Sequence, residues 1–456
     1  MISQFLRARK RVAPVLLLIL YLPGAGLHAD GETEHKYQHI FSQILYYLKN
    51  LYVDPVDEKR LLTGAIRGMI EATGDRYSRF LDPEELRDFS EIEGGQKIGI
   101  GVEVAFENGY PLVISPIEGS PADRAGIRSG DRIIAIDGES TRDRSFGELL
   151  KKISGESGSP IQLEIERDVE AAPIKIEIIR GIFDLEYCHG EILPGDVGYL
   201  RLTHFFGKQG GTEEKFRSLI HRFRENRAAG VILDLRNNAG GQLDMAVTLA
   251  GYFLKEGDVV VSARGREGTP VQELRAVGEV SLLPPSIPLY VLINRGSASA
   301  SEILAGALQD HGRAKLIGTR SFGKASVQQI IRPLPDETAA LITIQKYFTP
   351  ANRSIHGVGL EPDILVEELR PDEDERYFFY RIKKSDFMTA FKKRYPMYTE
   401  STLSAFQKET AKEGWIFRNN IALMFLKSDY HIVGGRIPDP EIDPQFSRAL
   451  EEIRKK

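Results

Sequence analysis

The sequence predicts a multidomain α+β fold: a helical N-terminal module over residues 30–94, a small β domain over 95–180, an α/β core over 181–369 and a helical C-terminal region over 370–456. Three observations predict it. At 456 residues the chain is too long for one ordinary hydrophobic core. Near residue 95 the apolar spacing changes from steps of three and four to short strand-like runs. From residue 181 buried-strand runs alternate with amphipathic helical stretches, as in an α/β core.

Residues 1–29 read as a targeting segment. Arg7, Arg9, Lys10 and Arg11 form a positive start, followed by an apolar run of 11 residues at 12–22. That run is shorter than the roughly 20 residues needed to cross a bilayer. Pro23 and Gly24 break it, and Leu27, His28 and Ala29 offer a cleavage site, with Leu27 larger than such sites prefer. The expectation is export, to the periplasm in a bacterium, with membrane association if the segment is not cleaved.

In the helical module, Ile40, Ile44, Leu45, Leu48 and Leu51 form one apolar stripe and Leu61, Leu62, Ile66, Met69 and Ile70 a second. Pro55 and Asp57 separate them. Both stripes suit internal packing, and a homo-oligomer contact is the second reading. The β domain carries strands at 97–104, 112–116, 131–136 and 161–167, with helices at 122–127 and 145–153. In the core, strands are expected at 197–202, 230–235 and 289–293, and helices at 212–224 and 243–253. Helices at 374–383, 387–394, 402–413 and 414–427 follow, interleaved with aromatic residues. No catalytic motif appears among them.

Sixty basic against 65 acidic residues leave a net charge of −5 with no long single-sign run. That speaks against nucleic acid as the main partner. The single cysteine, Cys188, excludes an internal disulfide and a thiolate metal cluster, and reads as a packed strand residue. The nine histidines are scattered, and neither a metal nor a cofactor is expected.

The chemistry concentrates in residues 294–328. Ser299 stands where a turn becomes a helix, and Glu302 three positions later completes a capping box. A purely structural cap is therefore one reading of Ser299. The same place suits a nucleophile, because helix amides and the helix dipole favour a developing oxyanion. Ser297 and Ser301 are rivals that spacing alone does not separate. Lys324 lies 25 residues on. The helix after Ser299 runs about 14 Å outward, and about five extended residues at 314–318 return the same distance. Lys324 can thus reach the helix start. A free lysine, with a pKa near ~10.4, is no base at neutral pH unless an apolar wall desolvates it. Gln328, four residues on, is placed to orient it.

Competing motifs fall away. GTRSFGKA at 318–325 lacks the Ser or Thr that would hold Mg²⁺, and strand, not helix, follows it. Ser321 and Lys324 form an SxxK without its usual partner motifs. His311 and His356 lie in loops without a triad setting. DLRNNAGGQL at 234–243, a buried strand ending in two glycines, suits an oxyanion hole through Gly240 or Gly241; a tight turn needing glycine explains it equally well.

IGIGVEV at 98–104 and SPADRAGIRSGDRIIAIDG at 120–138 resemble a PDZ domain. Its glycine loop, Gly99, Ile100, Gly101 and Val102, would capture a peptide's terminal carboxylate and the following strand would accept the peptide as an added strand. GSASASE, then FGKASVQ, with DLRNNAGG upstream and YVDPVDEK and DRYSRFLDPEE in the leader, resemble the carboxyl-terminal processing (tail-specific) serine peptidases. The resemblance spans about residues 37–368. It implies a crotonase-like α/β core and an endopeptidase acting on protein C-termini. Ser299 would be the nucleophile, Lys324 the base, Gln328 its orienting partner, and the amides of Ala300 and of Gly240 or Gly241 the oxyanion donors. Arg128 matches a position that couples PDZ occupancy to the core in some relatives; an exposed turn arginine is the plainer reading. Ala239 and Ala325 depart from the usual proline and glycine but remove no reacting group. Partners would be protein substrates, an adaptor being left open. The alternative is a catalytically inactive PDZ-bearing scaffold.

Overall fold

The computed structural model describes residues 31–83, 85–87, 100–107, 109–142, 144, 146–167, 172–181, 187–206, 211–430 and 437–455. The targeting segment and Gly99 lie outside the described residues. The chain divides into two compact units, Met1–Met69 and Ile70–Lys456.

Helices α1 (Gly31–Leu51) and α2 (Glu58–Glu71) carry the two expected stripes. Asp57 caps α2 by accepting the N–H of Lys59 at 2.8 Å. The stripes do not form a buried core: Ile40, Phe41, Ile44, Leu51 and Met69 are exposed. The helical pattern breaks after Glu71. Asp75 turns the chain by accepting the N–H groups of Tyr77 and Ser78. Strand β1 (Arg79–Leu81) then pairs antiparallel with β16 (Thr338–Phe348), which buries Phe80 and Leu81.

The PDZ-like domain comprises β2 (Val102–Glu107), β3 (Tyr110–Pro116), α3 (Pro121–Arg124), β4 (Arg132–Ile136), β5 (Glu139–Ser140), α4 (Phe146–Ile153), β6 (Pro160–Glu166) and β7 (Ile174–Ile179). The sheet order is β2-β3-β4-β6-β7, so β2 lies at an edge. Of the strand expected at 97–104, residues 97–99 lie outside the described residues, 102–104 are strand, and Ile100 and Gly101 form a loop. Alternation along PIQLEIE sends Ile161, Leu163 and Ile165 into a core with Ile100, Val113 and Ile133.

The α/β core is built on a six-stranded sheet, β17-β14-β13-β10-β9-β8. Its strands are β8 (Cys188–Leu193), β9 (Val197–Leu202), β10 (Gly230–Asp234), β13 (Leu289–Ile293), β14 (Ala314–Gly318) and β17 (Ile364–Leu365). All pairings are parallel except β8 with β9. Helices α5 (Thr212–Glu225), α6 (Leu243–Gly251) and α7 (Ala300–Asp310) connect them. Strand residues alternate between faces: Val231, Leu233, Leu289 and Val291 meet these helices, and Ile232, Tyr290 and Leu292 point the other way. A second sheet contains β1, β11 (Val259–Arg264), β12 (Gln272–Arg275), β15 (Ser326–Leu334) and β16.

Helices α8 (Glu373–Lys383), α9 (Phe387–Arg394), α10 (Glu400–Lys412) and α11 (Asn419–Asp429) pack around Phe391, Phe406 and Phe417. The helix expected at 414–427 begins at Asn419. A further helix, α12 (Pro444–Arg454), covers the second face of the parallel sheet with Phe446, Ala449, Leu450 and Ile453. A Cβ at Gly230 would lie 2.7 Å from Ile453, so that glycine sets how closely α12 approaches β10.

Candidate active site

Strand β13 delivers the chain into the turn at 294–299, and α7 starts at Ala300. Ser299 holds φ 56° and ψ −115°, a region costly for a residue with a side chain. Neighbouring bonds fix that turn. Asn238 accepts the Ala298 N–H at 3.0 Å on its carbonyl. Its side chain donates to Leu202 O at 2.8 Å and accepts the Gly240 N–H at 2.9 Å.

The four candidate serines now separate. Ser297 Oγ donates to Leu235 O (2.8 Å) and accepts the Asn294 N–H (3.0 Å). Ser301 Oγ donates to Asn238 O at 2.7 Å. Ser321 Oγ donates to Glu302 Oε1 (2.5 Å) and accepts the Leu360 N–H (2.6 Å). All three are buried. Ser299 is half-buried, and its hydroxyl donates to no acceptor among the described residues.

The capping box is present, with Ser299 N–H donating to Glu302 Oε2 at 2.9 Å. The same oxygen accepts the Lys324 N–H at 2.8 Å. One atom therefore holds the backbone of both residues, their nitrogens no more than about 6 Å apart. Lys324 is half-buried, and its Nζ lies over the Tyr77 ring, 5.5 Å from the centroid. No carboxylate pairs with this ammonium among the described residues. Burial pushes the Tyr77 phenol up, so the ring is a neutral wall. Tyr77 lies inside DRYSRFLDPEE, but nothing in the string links it to a lysine 247 positions away.

Gly240 presses on the Ser299 turn: a Cβ there would meet Ala298 O at 2.8 Å, Ala300 N at 2.9 Å and Ser299 Cβ at 2.9 Å. Only glycine fits this approach at φ 107°. The Gly240 N–H is already given to Asn238, whereas the N–H groups of Gly241 and Ala300 have no protein acceptor among the described residues. No hydrogen bond joins Gln328 to Lys324 among the described residues. The Gln328 amide nitrogen donates to Ser326 Oγ (2.7 Å) and Thr343 Oγ1 (3.2 Å), beside a register shift between Val327 and Gln328.

The PDZ-like domain meets these turns. Ser115 Oγ donates to Asn237 O at 2.8 Å and Ser129 Oγ to Arg295 O at 2.9 Å. Ala105 and Ile114 form one buried cluster with Tyr77, Ala239 and Ala298. Ile100 O accepts the Ala122 N–H (2.8 Å), and Gly101 O accepts the Ile117 N–H (3.0 Å). Arg128 is exposed on a polar cavity of about 500 Å³ that Arg295, Glu368 and Arg370 also line. Behind the site, buried Asp234 accepts from Arg201 (2.8 Å) and Tyr199 (3.0 Å) and pairs with Arg236 (2.6 Å). Arg201 reaches Glu118 of the PDZ-like domain, and Arg236 reaches Asp443 at the start of α12. His35 and His39 are four apart on α1, but among the described residues no group of three potential ligands could hold a metal.

Comparison with known proteins agrees with this architecture. Residues 196–366 match peptidase family S41, 112–167 a PDZ domain, and 27–85 the activating protease CtpB N-terminal domain. The chain is 39% identical over 369 residues to a carboxy-terminal-processing protease of Bartonella bacilliformis, spanning 80% of this chain and 84% of that protein. Identity is 31% over 347 residues to carboxy-terminal processing protease CtpB of Bacillus subtilis, spanning 75% and 70% of the two. Among solved structures, the photosystem II D1 C-terminal processing protease superposes with a TM-score of 0.62 at 28% identity, covering 76% of this chain and 91% of that one. With its PDZ domain set against a serine-bearing α/β core, the chain belongs to the carboxy-terminal processing proteases of peptidase family S41.

Proposed function

We propose that this chain is an exported, periplasmic serine endopeptidase that takes hold of protein C-termini through its PDZ domain and cleaves with a Ser299–Lys324 dyad. The observation that carries the assignment is the fate of the four serine hydroxyls: three are donated to fixed acceptors and Ser299's is not. The Glu302 oxygen shared by Ser299 and Lys324 supports the pairing.

In this mechanism the neutral Lys324 amine takes the Ser299 proton as Oγ attacks the scissile carbonyl. The carbonyl oxygen becomes an oxyanion and is met by the Ala300 and Gly241 N–H groups. Gly240 serves as the close-packed neighbour of the serine, since its own amide is occupied. The tetrahedral intermediate collapses as Lys324 returns the proton to the leaving amine, which leaves an acyl-enzyme. Water, deprotonated by Lys324, then releases the acid and restores Ser299. Gln328 gives its amide nitrogen to Ser326 and Thr343, which leaves its carbonyl oxygen as the atom that would accept from the lysine. Tyr77 supplies the apolar wall that keeps water from the amine.

Ser115 and Ser129 bind the backbones of the two catalytic turns, so movement of the PDZ domain on tail binding is felt at both. Arg128 belongs to this junction and is read as its coupling residue. The Gly99 to Val102 loop would receive the tail's carboxylate.

Covalent labelling tests the assignment. A fluorophosphonate probe, followed by peptide mapping, is expected to modify Ser299 and not Ser297, Ser301 or Ser321. Labelling is expected to accelerate several-fold when a peptide with a free apolar C-terminus is added, and Arg128→Ala to remove that acceleration. A label on any other serine overturns the site. Equal labelling with free and amidated peptide overturns tail recognition.

A further inference from the structure

Glu302 is fully buried and makes no ion pair among the described residues, an arrangement too costly to persist without compensation. Its compensation is four donors. Oε1 accepts Ser321 Oγ–H (2.5 Å) and the Gly323 N–H (2.7 Å). Oε2 accepts the N–H groups of Ser299 (2.9 Å) and Lys324 (2.8 Å). An ordinary capping box asks for one of these four bonds. The other three reach a separate loop, about twenty residues downstream, that carries the lysine.

One backbone bond ties that loop to the turn before α7, Phe322 N–H to Ser297 O at 3.0 Å. Gly323, at φ 92°, sits against the backbone of Val358 and Gly359, where a Cβ would come within 2.9 Å of both amides. Ser321 is held by Leu360 N–H from the same side. These contacts hold the outer side of the loop, and the carboxylate joins Ser299 and Lys324 themselves. No other side-chain atom among those described bonds both the Ser299 and Lys324 backbones.

We infer that Glu302 is the positioning residue of the catalytic centre, a carboxylate brace that sets the separation of nucleophile and base by binding both main chains. This rests on the Ser299–Lys324 reading. It assigns Glu302 no contact with substrate. By taking the Ser299 N–H, the brace also leaves the Ala300 N–H as the first helix amide open to an oxyanion. Burial pushes the carboxyl up while its four hydrogen bonds oppose that shift, so the charge depends on the donors staying in place.

Glu302→Gln tests it in the full chain, because the amide keeps the shape but turns an NH₂ toward two of the donors. The expected result is a fall of about 100-fold in kcat with KM and tail-peptide affinity unchanged. The fluorophosphonate labelling rate of folded protein should fall in parallel. Glu302→Asp should not rescue, since one methylene fewer cannot span both loops. If Glu302→Gln does not fold, Ser321→Ala decides: a kcat loss of about ten-fold at constant KM supports the brace, and wild-type kcat overturns it. Wild-type kcat and labelling per folded molecule in Glu302→Gln, with only thermal stability lowered, also overturns it. Those failures are distinct from failure of the dyad, which would show as activity surviving in Ser299→Ala.

Discussion

Lys324→Arg is expected to lower kcat/KM by about 10³-fold or more, with tail binding intact. The substitution keeps a long cationic side chain, and the loop is held by backbone bonds from Lys324 and Gly323 that do not depend on the side chain. What is lost is the capacity to exist as a neutral base, because a guanidinium stays protonated at any usable pH. The wall built from Tyr77 can desolvate an amine but cannot deprotonate a guanidinium. Measured with an unfolded substrate bearing an apolar C-terminus, activity should reach the same floor as Ser299→Ala. Retention of more than about a tenth of the activity would mean that another group takes the serine proton.

Asp234→Asn is expected to carry the largest stability cost, about 3–5 kcal/mol, read as a fall of roughly 10 °C in Tm. Burial alone would raise this carboxyl, but Arg236 and Arg201 outweigh it and hold the group well below the usual carboxylate range. A depressed folded pKa has a definite sign. The contribution is complete above the unfolded value, near ~4, and is lost as pH falls through the folded one. Wild type should therefore keep this support across the whole neutral range. The amide of the Asp234→Asn variant would remove it at every pH and leave two buried guanidiniums without the anion they share. A Tm change under about 2 °C would show the network to be replaceable.

Much of the site was legible because its chemistry is local. Ser299, Glu302, the paired glycines and Lys324 lie in short strings with recognisable spacing, and the buried strands before them read as apolar runs. What the string withheld was the set of partners. Ser297, Ser301 and Ser321 are equivalent on paper; only their acceptors disqualify them. Gly240 and Gly241 were interchangeable until Asn238 was seen to occupy one amide. Tyr77 and Asn238 were missed because each acts through a contact distant in sequence. Gln328 stands on the expected strand but is held by Ser326 and Thr343, a matter of local register. Helix α12 was not expected, although Phe446, Ala449, Leu450 and Ile453 are spaced for one face. It is short, and its apolar stripe has meaning only against a sheet built some 200 residues earlier.

Helix α12 also bears on the order in which this protein comes into being. Arg236, two residues past the end of β10, meets Asp443 across 207 positions of sequence. Ser299 and Lys324 both emerge during synthesis well before the segment that closes the back of their sheet. A nascent chain therefore holds both residues with one sheet face still bare, and loop closure over such distances is slow. The second face of the sheet is thus the last part of the core to be closed.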